Sequence, residues 1–273
     1  MTESMNTEAD GATSKRPASV RLHAHGPIAE IALDGGPLNL VTAPLLRSLN
    51  GALRDVAAAE GIRCLILHGG RGRAFCAGSD IREFAHLRED ASERKILFED
   101  MVLRTLAAMA MPTLAAIDGP ALGGGFELAL ACDLRVCRRD VSIGLTESRL
   151  GGLAGNGSVR LARLIGPARA KELLFTGATI DADHALAWGL VNRVVDGSAI
   201  DGARDLATEI AARGPLSNRH AKKLVDAAQD LPLDAALSLS TGAQQAIFDS
   251  RDLHEGVAAF FAKRPPAWEA GTD

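Results

Sequence analysis

The sequence predicts an α/β protein whose last third is helical, and two observations support that class. In the first two thirds of the chain, short apolar runs typical of strands alternate with helical stretches, as at 113–118, 124–131 and 134–137. This alternation is typical of an α/β core with crossover connections. From Val159 onward nearly every segment has helical periodicity, and one short strand-like run at 190–195 interrupts it.

The first elements follow from local patterns. Two strand-like runs, 20–25 and 28–33, flank the pair Gly26-Pro27, which is typical of a turn. Thr42 has the position of an N-cap, and the apolar side chains that follow it predict an amphipathic helix through about Ala59.

The later elements are predicted in the same way. The apolar run 64–70 indicates a strand that leads into a glycine-rich loop. Asp80 and Glu83 have the spacing of a capping box, and a longer helix is expected from about Ser92 to Met111. Seven further helices are predicted in the last part of the chain, at 158–165, 167–175, 181–188, 200–213, 217–229, 232–248 and 252–263.

These elements divide the chain into three predicted regions. Residues 1–19 are expected to be a disordered tail, 20–214 an α/β core, and 215–273 a helical region. The tail has no apolar core for a secretory signal and too many acids for a mitochondrial transit peptide. We therefore expect a cytoplasmic protein.

Composition excludes several classes of function. The net charge is −4, aromatic residues make up 4% and tyrosine is absent, so a nucleic-acid partner is not expected. No apolar run is long enough to span a membrane. The four cysteines lack C-x-x-C spacing, which favours buried free thiols.

Residues 119–133, GPALGGGFELALACD, combine three glycines with a single acid, Glu127. A tight turn beside a closely packed strand would explain the glycines alone. Their spacing fits no nucleotide-binding motif. A helix that begins near Gly124 would present unpaired amides at its positive end, which suits an oxygen that becomes negative during a reaction. Glu127, one turn later, would share that face.

Two further residues complete the candidate chemistry. The segment 73–81, RAFCAGSDI, offers the amide of Ser79 as a second donor, and no G-x-S-x-G motif supports its hydroxyl as a nucleophile. A second acid, Glu147, precedes a glycine-rich loop and alone is typical of an ordinary turn. His23 and His25 have no clear third ligand, so we predict no metal site.

In this order, the motifs AFCAGSDI, GPALGGGFELALACD and LTESRLGGLAGNGSVRLARLIG resemble the enoyl-CoA hydratase/isomerase (crotonase) family. The resemblance extends over about residues 20–266. It implies a crotonase-like spiral of repeated ββα units with a C-terminal helical oligomerisation region. It also implies that Ser79 and Gly124 supply the oxyanion-hole amides, and that Glu127 and Glu147 are paired catalytic carboxylates.

The resemblance implies further contacts to substrate. These lie at Ala77, Gly78, Asp80, Ile81, Gly123 and Gly155, and at Phe260 and Lys263, which are expected to reach the coenzyme A site of a neighbouring copy. The sequence departs from the family pattern at Ala154, where proline is common, in a loop that is one residue short. It also lacks a basic residue in 36–42, for which Arg71, Arg73 or Arg82 would have to substitute.

Because both glutamates are present, the favoured function is that of an enoyl-CoA hydratase, a hydro-lyase. It would add water syn to a 2-enoyl-CoA thioester to give a 3-hydroxyacyl-CoA, with no cofactor beyond the coenzyme A of the substrate. Double-bond isomerisation, C–C cleavage and thioester hydrolysis remain alternatives on the same site, as does a non-catalytic acyl-CoA binder. The expected assembly is a homotrimer or a dimer of trimers.

Overall fold

The structure, a computed structural model, describes residues 17–84 and 87–268. Most of the predicted tail, residues 1–16, therefore lies outside the described residues. The first strand begins at Ser19, one residue before the predicted start.

The described residues form two β-sheets. Their strands are β1 (Ser19–His25), β2 (Ile28–Asp34), β3 (Cys64–His68), β4 (Thr113–Ile117), β5 (Ala121–Leu122), β6 (Leu134–Arg138), β7 (Ser142–Gly144), β8 (Ile180–Asp181) and β9 (Arg193–Val195). The larger sheet has the order β1-β2-β3-β4-β6-β9, and the smaller has the order β5-β7-β8. In the larger sheet only β1 and β2 are antiparallel, and the other neighbours are parallel.

Helices connect and cover these strands. In the described residues they are α1 (Ala43–Ala58), α2 (Ile81–Phe84), α3 (Leu97–Ala107), α4 (Gly124–Ala131), α5 (Gly155–Ile165), α6 (Pro167–Thr176), α7 (Ala182–Ala187), α8 (Ala199–Ala211), α9 (Pro215–Ala228), α10 (Leu233–Phe248) and α11 (Arg251–Phe261). A π-helix, Ser92–Ile96, runs directly into α3, and a 3₁₀ helix, Glu147–Leu150, precedes α5.

The chain winds through the two sheets in a repeated pattern. β4 lies in the large sheet, β5 in the small sheet, and α4 follows; β6, β7 and the 3₁₀ helix repeat that order. The predicted α/β class with its repeated ββα units is therefore confirmed. Each repeat ends where a strand of the small sheet meets the start of a helix, so these helix starts lie close together.

Alternating strand residues feed two hydrophobic cores on opposite faces of the large sheet. Leu65 and Leu67 of β3 pack with α1 and α4, whereas Cys64 and Ile66 pack with α8. The start of α1 is as predicted, since Thr42 Oγ1 accepts a hydrogen bond from the amide of Leu45. All four cysteines are buried free thiols, as expected.

Two elements differ from their predictions in more than the position of a boundary. The helix expected over 92–111 begins as a π-helix and ends at Ala107. Pro112 disfavours helical backbone at Met111, the predicted last residue of this helix, and so argues against the predicted end. The carboxylate of Asp80 binds the amide and guanidinium of Arg82, and the capping-box contact to Glu83 is not formed.

The C-terminal helices α9, α10 and α11 bury few of their own side chains. The ammonium of Lys222 on α9 binds the carboxylate of Asp133 at 2.8 Å, which joins this region to the core. Large apolar side chains remain exposed on these helices and the turns between them, at Val225, Leu231, Leu233, Leu237, Leu239, Phe248, Val257, Phe260 and Phe261.

Candidate active site

The start of α4 is the centre of the candidate site. Every residue of this helix is buried, and no side chain among the described residues caps its N-terminus. A side chain at Gly125 would place Cβ 2.1 Å from the carbonyl oxygen of Cys76, and Gly123 has φ of +51°. The third position of the glycine run is therefore fixed by close packing and the first by backbone conformation.

The segment around Ser79 lies against this helix start, as the sequence predicted. Cys76 forms a β-bridge with Ala121, the first residue of β5. The amide of Leu122 donates a hydrogen bond to the carbonyl of Cys76 at 3.0 Å. A Cβ atom on Gly124 would lie 3.2 Å from Ser79 Oγ. Within the described part of the chain, neither the Ser79 amide nor the Gly124 amide donates to a protein acceptor. Both amides are thus available to a ligand oxygen.

Asn39 holds the loop that leads to Ser79, a role that the sequence analysis missed. Its side chain is fully buried, and Nδ2 lies within hydrogen-bond distance of three carbonyl oxygens, those of Gly69, Ala74 and Phe75, at 2.7–3.1 Å. Its φ of +47° is one that asparagine tolerates better than most residues. The only available signal was an asparagine in a glycine- and proline-rich turn.

Glu127 is buried in the first turn of α4 and is 7% exposed. Its Oε1 accepts a 2.6 Å hydrogen bond from the amide of Gly157 on α5. Burial raises the pKa of the Glu127 carboxyl from 4.5 to about 7; the Gly157 amide opposes that shift, and the charges of Glu99 and Glu147 add to it. The carboxyl can therefore gain or lose a proton near neutral pH.

Glu147 begins the 3₁₀ helix and turns its carboxylate toward the glycine run. A Cβ atom on Gly123 would lie 2.8 Å from Glu147 Oε1. Oε2 is buried and accepts no hydrogen bond from the described residues. Burial, with a smaller contribution from the charge of Glu99, raises the pKa of this carboxyl. The two predicted acids thus both lie beside residues 123–127, and the charge of one affects the other.

A third carboxylate, Glu99, lies at the same place and was not anticipated. Its Oε1 is 3.2 Å from the position of a Cβ atom on Gly124, and its Oε2 is 3.1 Å from the ammonium of Lys95. In the sequence these residues form a lysine–glutamate pair spaced i,i+4, which is typical of a solvated helix face. The structure instead leaves both side chains only 13% exposed.

The comparisons with known proteins agree with the motifs. The sequence model of the enoyl-CoA hydratase/isomerase family matches residues 23–271. The chain belongs to this family. It is 35% identical over 237 residues to the mitochondrial methylglutaconyl-CoA hydratase of Rattus norvegicus, a match that covers 85% of this chain and 75% of the relative. It is also 35% identical over 258 residues to the carnitinyl-CoA dehydratase of Citrobacter koseri, covering 92% of this chain and 98% of the relative.

A solved structure extends the family match to the fold. The enoyl-CoA hydratase of Bacillus anthracis superposes with a TM-score of 0.87 at 34% identity, and the match covers 94% of this chain and 100% of that one. The crotonase-like architecture implied by the motifs is therefore confirmed. The roles that the enoyl-CoA hydratase/isomerase family suggests for individual residues stay predictions.

The remaining predicted contact residues fall into two groups. Ala77, Gly78, Asp80, Ile81 and Gly123 lie along the loop and helix start just described. Gly155 is the exposed first residue of α5, two positions before the glycine that binds Glu127.

The second group lies on the C-terminal helices. Phe260 is near the end of α11 and is 78% exposed, and Lys263 follows that helix with φ of +52°. That these two residues contribute to the site of a neighbouring copy stays a prediction.

Proposed function

We propose that this protein is an enoyl-CoA hydratase, which adds water syn to a 2-enoyl-CoA thioester and forms a 3-hydroxyacyl-CoA. One observation carries the proposal: a buried carboxylate, Glu127, and a half-buried one, Glu147, flank a helix start with an available amide at Gly124. Membership of the family supports it, as do relatives named for hydration and dehydration of acyl-CoA compounds.

In the proposed reaction the amides of Ser79 and Gly124 donate hydrogen bonds to the thioester oxygen. Glu127 and Glu147 hold one water molecule and one proton between them. As the water oxygen bonds to the β-carbon it gives a proton to Glu127, and the electrons of the double bond move onto the thioester oxygen as an enolate. Glu147 then donates its proton to the α-carbon. Return of the proton from Glu127 to Glu147 restores the pair, and the net change is addition of water.

The physical chemistry favours these roles. A group whose pKa lies near the working pH is the most effective acid or base, and the pKa of Glu127 is raised to about 7. Amide donors aimed at the developing oxyanion contribute roughly 10²–10³ in rate each. The carboxylates and amides supply every proton transfer and the charge stabilisation, so we propose that no metal or redox cofactor takes part.

The experiment that tests this function is a panel of 2-enoyl-CoA thioesters, with chain length and polarity varied. Hydration removes the conjugated double bond, so absorbance should fall and mass spectrometry should show addition of one water. A 3-enoyl-CoA substrate tests the alternative of double-bond isomerisation, because moving the double bond into conjugation would increase the absorbance. Isomerisation without hydration would overturn the proposal.

We also propose that the protein assembles as a homotrimer or a dimer of trimers through its C-terminal helices. The exposed apolar side chains of α9, α10 and α11 support this, since monomeric proteins rarely expose so many large apolar groups in one region. Sedimentation of the full chain tests it, with a monomer as the contradicting result.

The predicted cytoplasmic location remains a proposal. Relatives come from bacteria, and the rat relative is named mitochondrial. No helix in residues 17–84 and 87–268 is long and apolar enough to cross a membrane.

A further inference from the structure

The third carboxylate at the candidate site has no part in the chemistry described above. Glu99 lies in the first turn of α3, and a Cβ atom on Gly124 would be equally close, at 3.2 Å, to Glu99 Oε1 and Ser79 Oγ. Its carboxylate therefore lies beside Gly124, close to Ser79, and these are the two residues whose amides are expected to bind the thioester oxygen. A negative charge in that position repels other negative charges at the site and so favours protonated carboxyl groups there.

Lys95 fixes the Glu99 carboxylate in place. The ammonium lies 3.1 Å from Glu99 Oε2 and 5.6 Å from the centre of the Phe84 ring. It projects from the π-helix that precedes α3, and such irregular turns are frequent at functional sites. The pair is thus a largely buried ion pair next to the candidate site, with Oε1 of Glu99 near Gly124 and Oε2 bound to Lys95.

Charges from several elements meet at Glu127. Glu99 and Lys95 approach from the α3 segment, Glu147 from the 3₁₀ helix and the amide of Gly157 from α5. The charge of Glu99 acts on Glu127 more strongly than that of Glu147 does, and it also acts on Glu147.

Two other titratable groups near this cluster are the Cys76 thiol and the Asp80 carboxylate. Burial raises the pKa of the Cys76 thiol to about 12, so it stays neutral, and Asp80 is already paired with Arg82. From outside that pair, the charge of Glu99 therefore bears on both proposed catalytic acids and the charge of Lys95 bears on Glu127.

We propose that Glu99 is a positioning residue for the hydration proposed above, on which this inference rests. Its carboxylate repels negative charge on Glu127 and Glu147 and so keeps one proton on that pair. Lys95 has the opposite role: its ammonium offsets the negative charge of Glu99 beside the thioester oxygen, where the enolate forms. Together they set the pH range in which the pair holds one proton.

The test uses variants whose effects have opposite signs. Side-chain carboxyl ¹³C NMR, assigned with E127Q, measures the pKa of Glu127 directly. Glu99→Gln should lower the pKa of Glu127 by roughly 0.5–1 unit, and Lys95→Met should raise it by a similar amount. The double variant Lys95→Met/Glu99→Gln should have a pKa between those of the two single variants. Lys95→Arg should restore the wild-type value, and Glu93→Gln, which removes an exposed charge from the same π-helix, should leave it unchanged.

The same variants are assayed for hydration across pH. The alkaline limb of the kcat/KM profile should move down in pH for Glu99→Gln and up for Lys95→Met. A purely structural role for the ion pair would change melting temperature and lower activity in both variants without opposite shifts. Identical Glu127 titrations in all folded variants would overturn the inference.

Failure of the proposed function is a separate result. Wild-type protein that hydrates no enoyl-CoA would end the proposed hydration and with it the positioning role of Glu99. Wild-type protein that hydrates its substrate, with variants that titrate alike, would end the role of Glu99 alone.

Discussion

The amide of Gly157 donates a 2.6 Å hydrogen bond to Oε1 of Glu127, and this contact joins the start of α5 to the first turn of α4. A Cβ atom at position 157 would lie 2.9 Å from Glu127 Cγ and 2.9 Å from Leu145 Cδ1. Glycine is therefore required at 157 for the room that the carboxylate stem occupies, whereas the hydrogen bond needs only a backbone amide.

Gly157→Ala should displace Glu127 and lower kcat while leaving the fold intact. Overpacking of a buried site by one methyl group costs about 1–3 kcal/mol, so the free energy of unfolding should fall by that amount in a denaturant titration. Gly51→Ala is the matched control, because Gly51 is an exposed helical glycine with no atom near its Cβ position. The control should be neutral or slightly stabilising. Equal effects of the two substitutions would contradict the close contact at 157.

Burial of Glu127 should destabilise the fold increasingly as pH rises. Its pKa is raised from 4.5 to about 7 in the folded protein, so the folded state keeps a proton that the unfolded state has lost. The resulting penalty is absent at low pH, grows as pH rises past the unfolded pKa, and is complete above the folded pKa.

Glu127→Gln removes this penalty and keeps an acceptor for the Gly157 amide. The variant should gain stability over the wild type, and the gain should be about 2 kcal/mol larger at about pH 8 than at about pH 5. Chemical denaturation at the two pH values measures the difference. A gain that does not depend on pH would show that the carboxyl titrates normally.

Loss of the Asn39 side chain should loosen the loop that carries Ser79. Asn39→Gly keeps a residue that accepts φ of +47° and removes the contacts to three buried carbonyls. Buried groups left unpaired cost about 1–3 kcal/mol each, so the melting temperature should drop and kcat should fall together. Stability and activity equal to those of the wild type would show that these contacts do not hold the loop.

Arg135 should be essential for stability, because it neutralises the opposite end of α4. Its buried guanidinium donates to the carbonyls of Ala129, Cys132 and Leu190 at 2.6–3.2 Å. The negative end of the helix is thus satisfied inside the protein, and the positive end faces the candidate site.

Arg135→Lys keeps the charge but cannot bind all of these oxygens. We expect a loss of about 2 kcal/mol in the free energy of unfolding. Arg138→Lys, three positions later on the same strand and half-exposed, is the control and should change little. A wild-type melting curve for Arg135→Lys would contradict the assigned role.

The sequence predicted those features that depend on local pattern. The cap at Thr42 and the helix over 124–131 follow from residue types at fixed spacing, and both are as expected. The motifs also placed Ser79 and Gly124 in one family pattern, and the structure brings the two residues together.

Features that depend on long-range packing were not predictable in this way. Glu99 and Lys95 have the spacing of a surface ion pair, and only the approach of α3 to the glycine run brings them to the site. The contact between Gly157 and Glu127 was not anticipated, whereas Gly155, which the loop motif suggests as a substrate contact, stays a prediction. The contact at Gly157 depends on where α5 begins, and a helix start is poorly determined by sequence.

The central claim is that Glu127 and Glu147 together add water to an enoyl-CoA. Its most direct test is single-turnover conversion of crotonyl-CoA in ¹⁸O-labelled water by the wild type, Glu127→Gln and Glu147→Gln, each shown to be folded. We expect the wild type to place the label on the β-carbon hydroxyl and each variant to be slower by at least about 10²-fold. Unlabelled product, or wild-type rates in both variants, would contradict the claim.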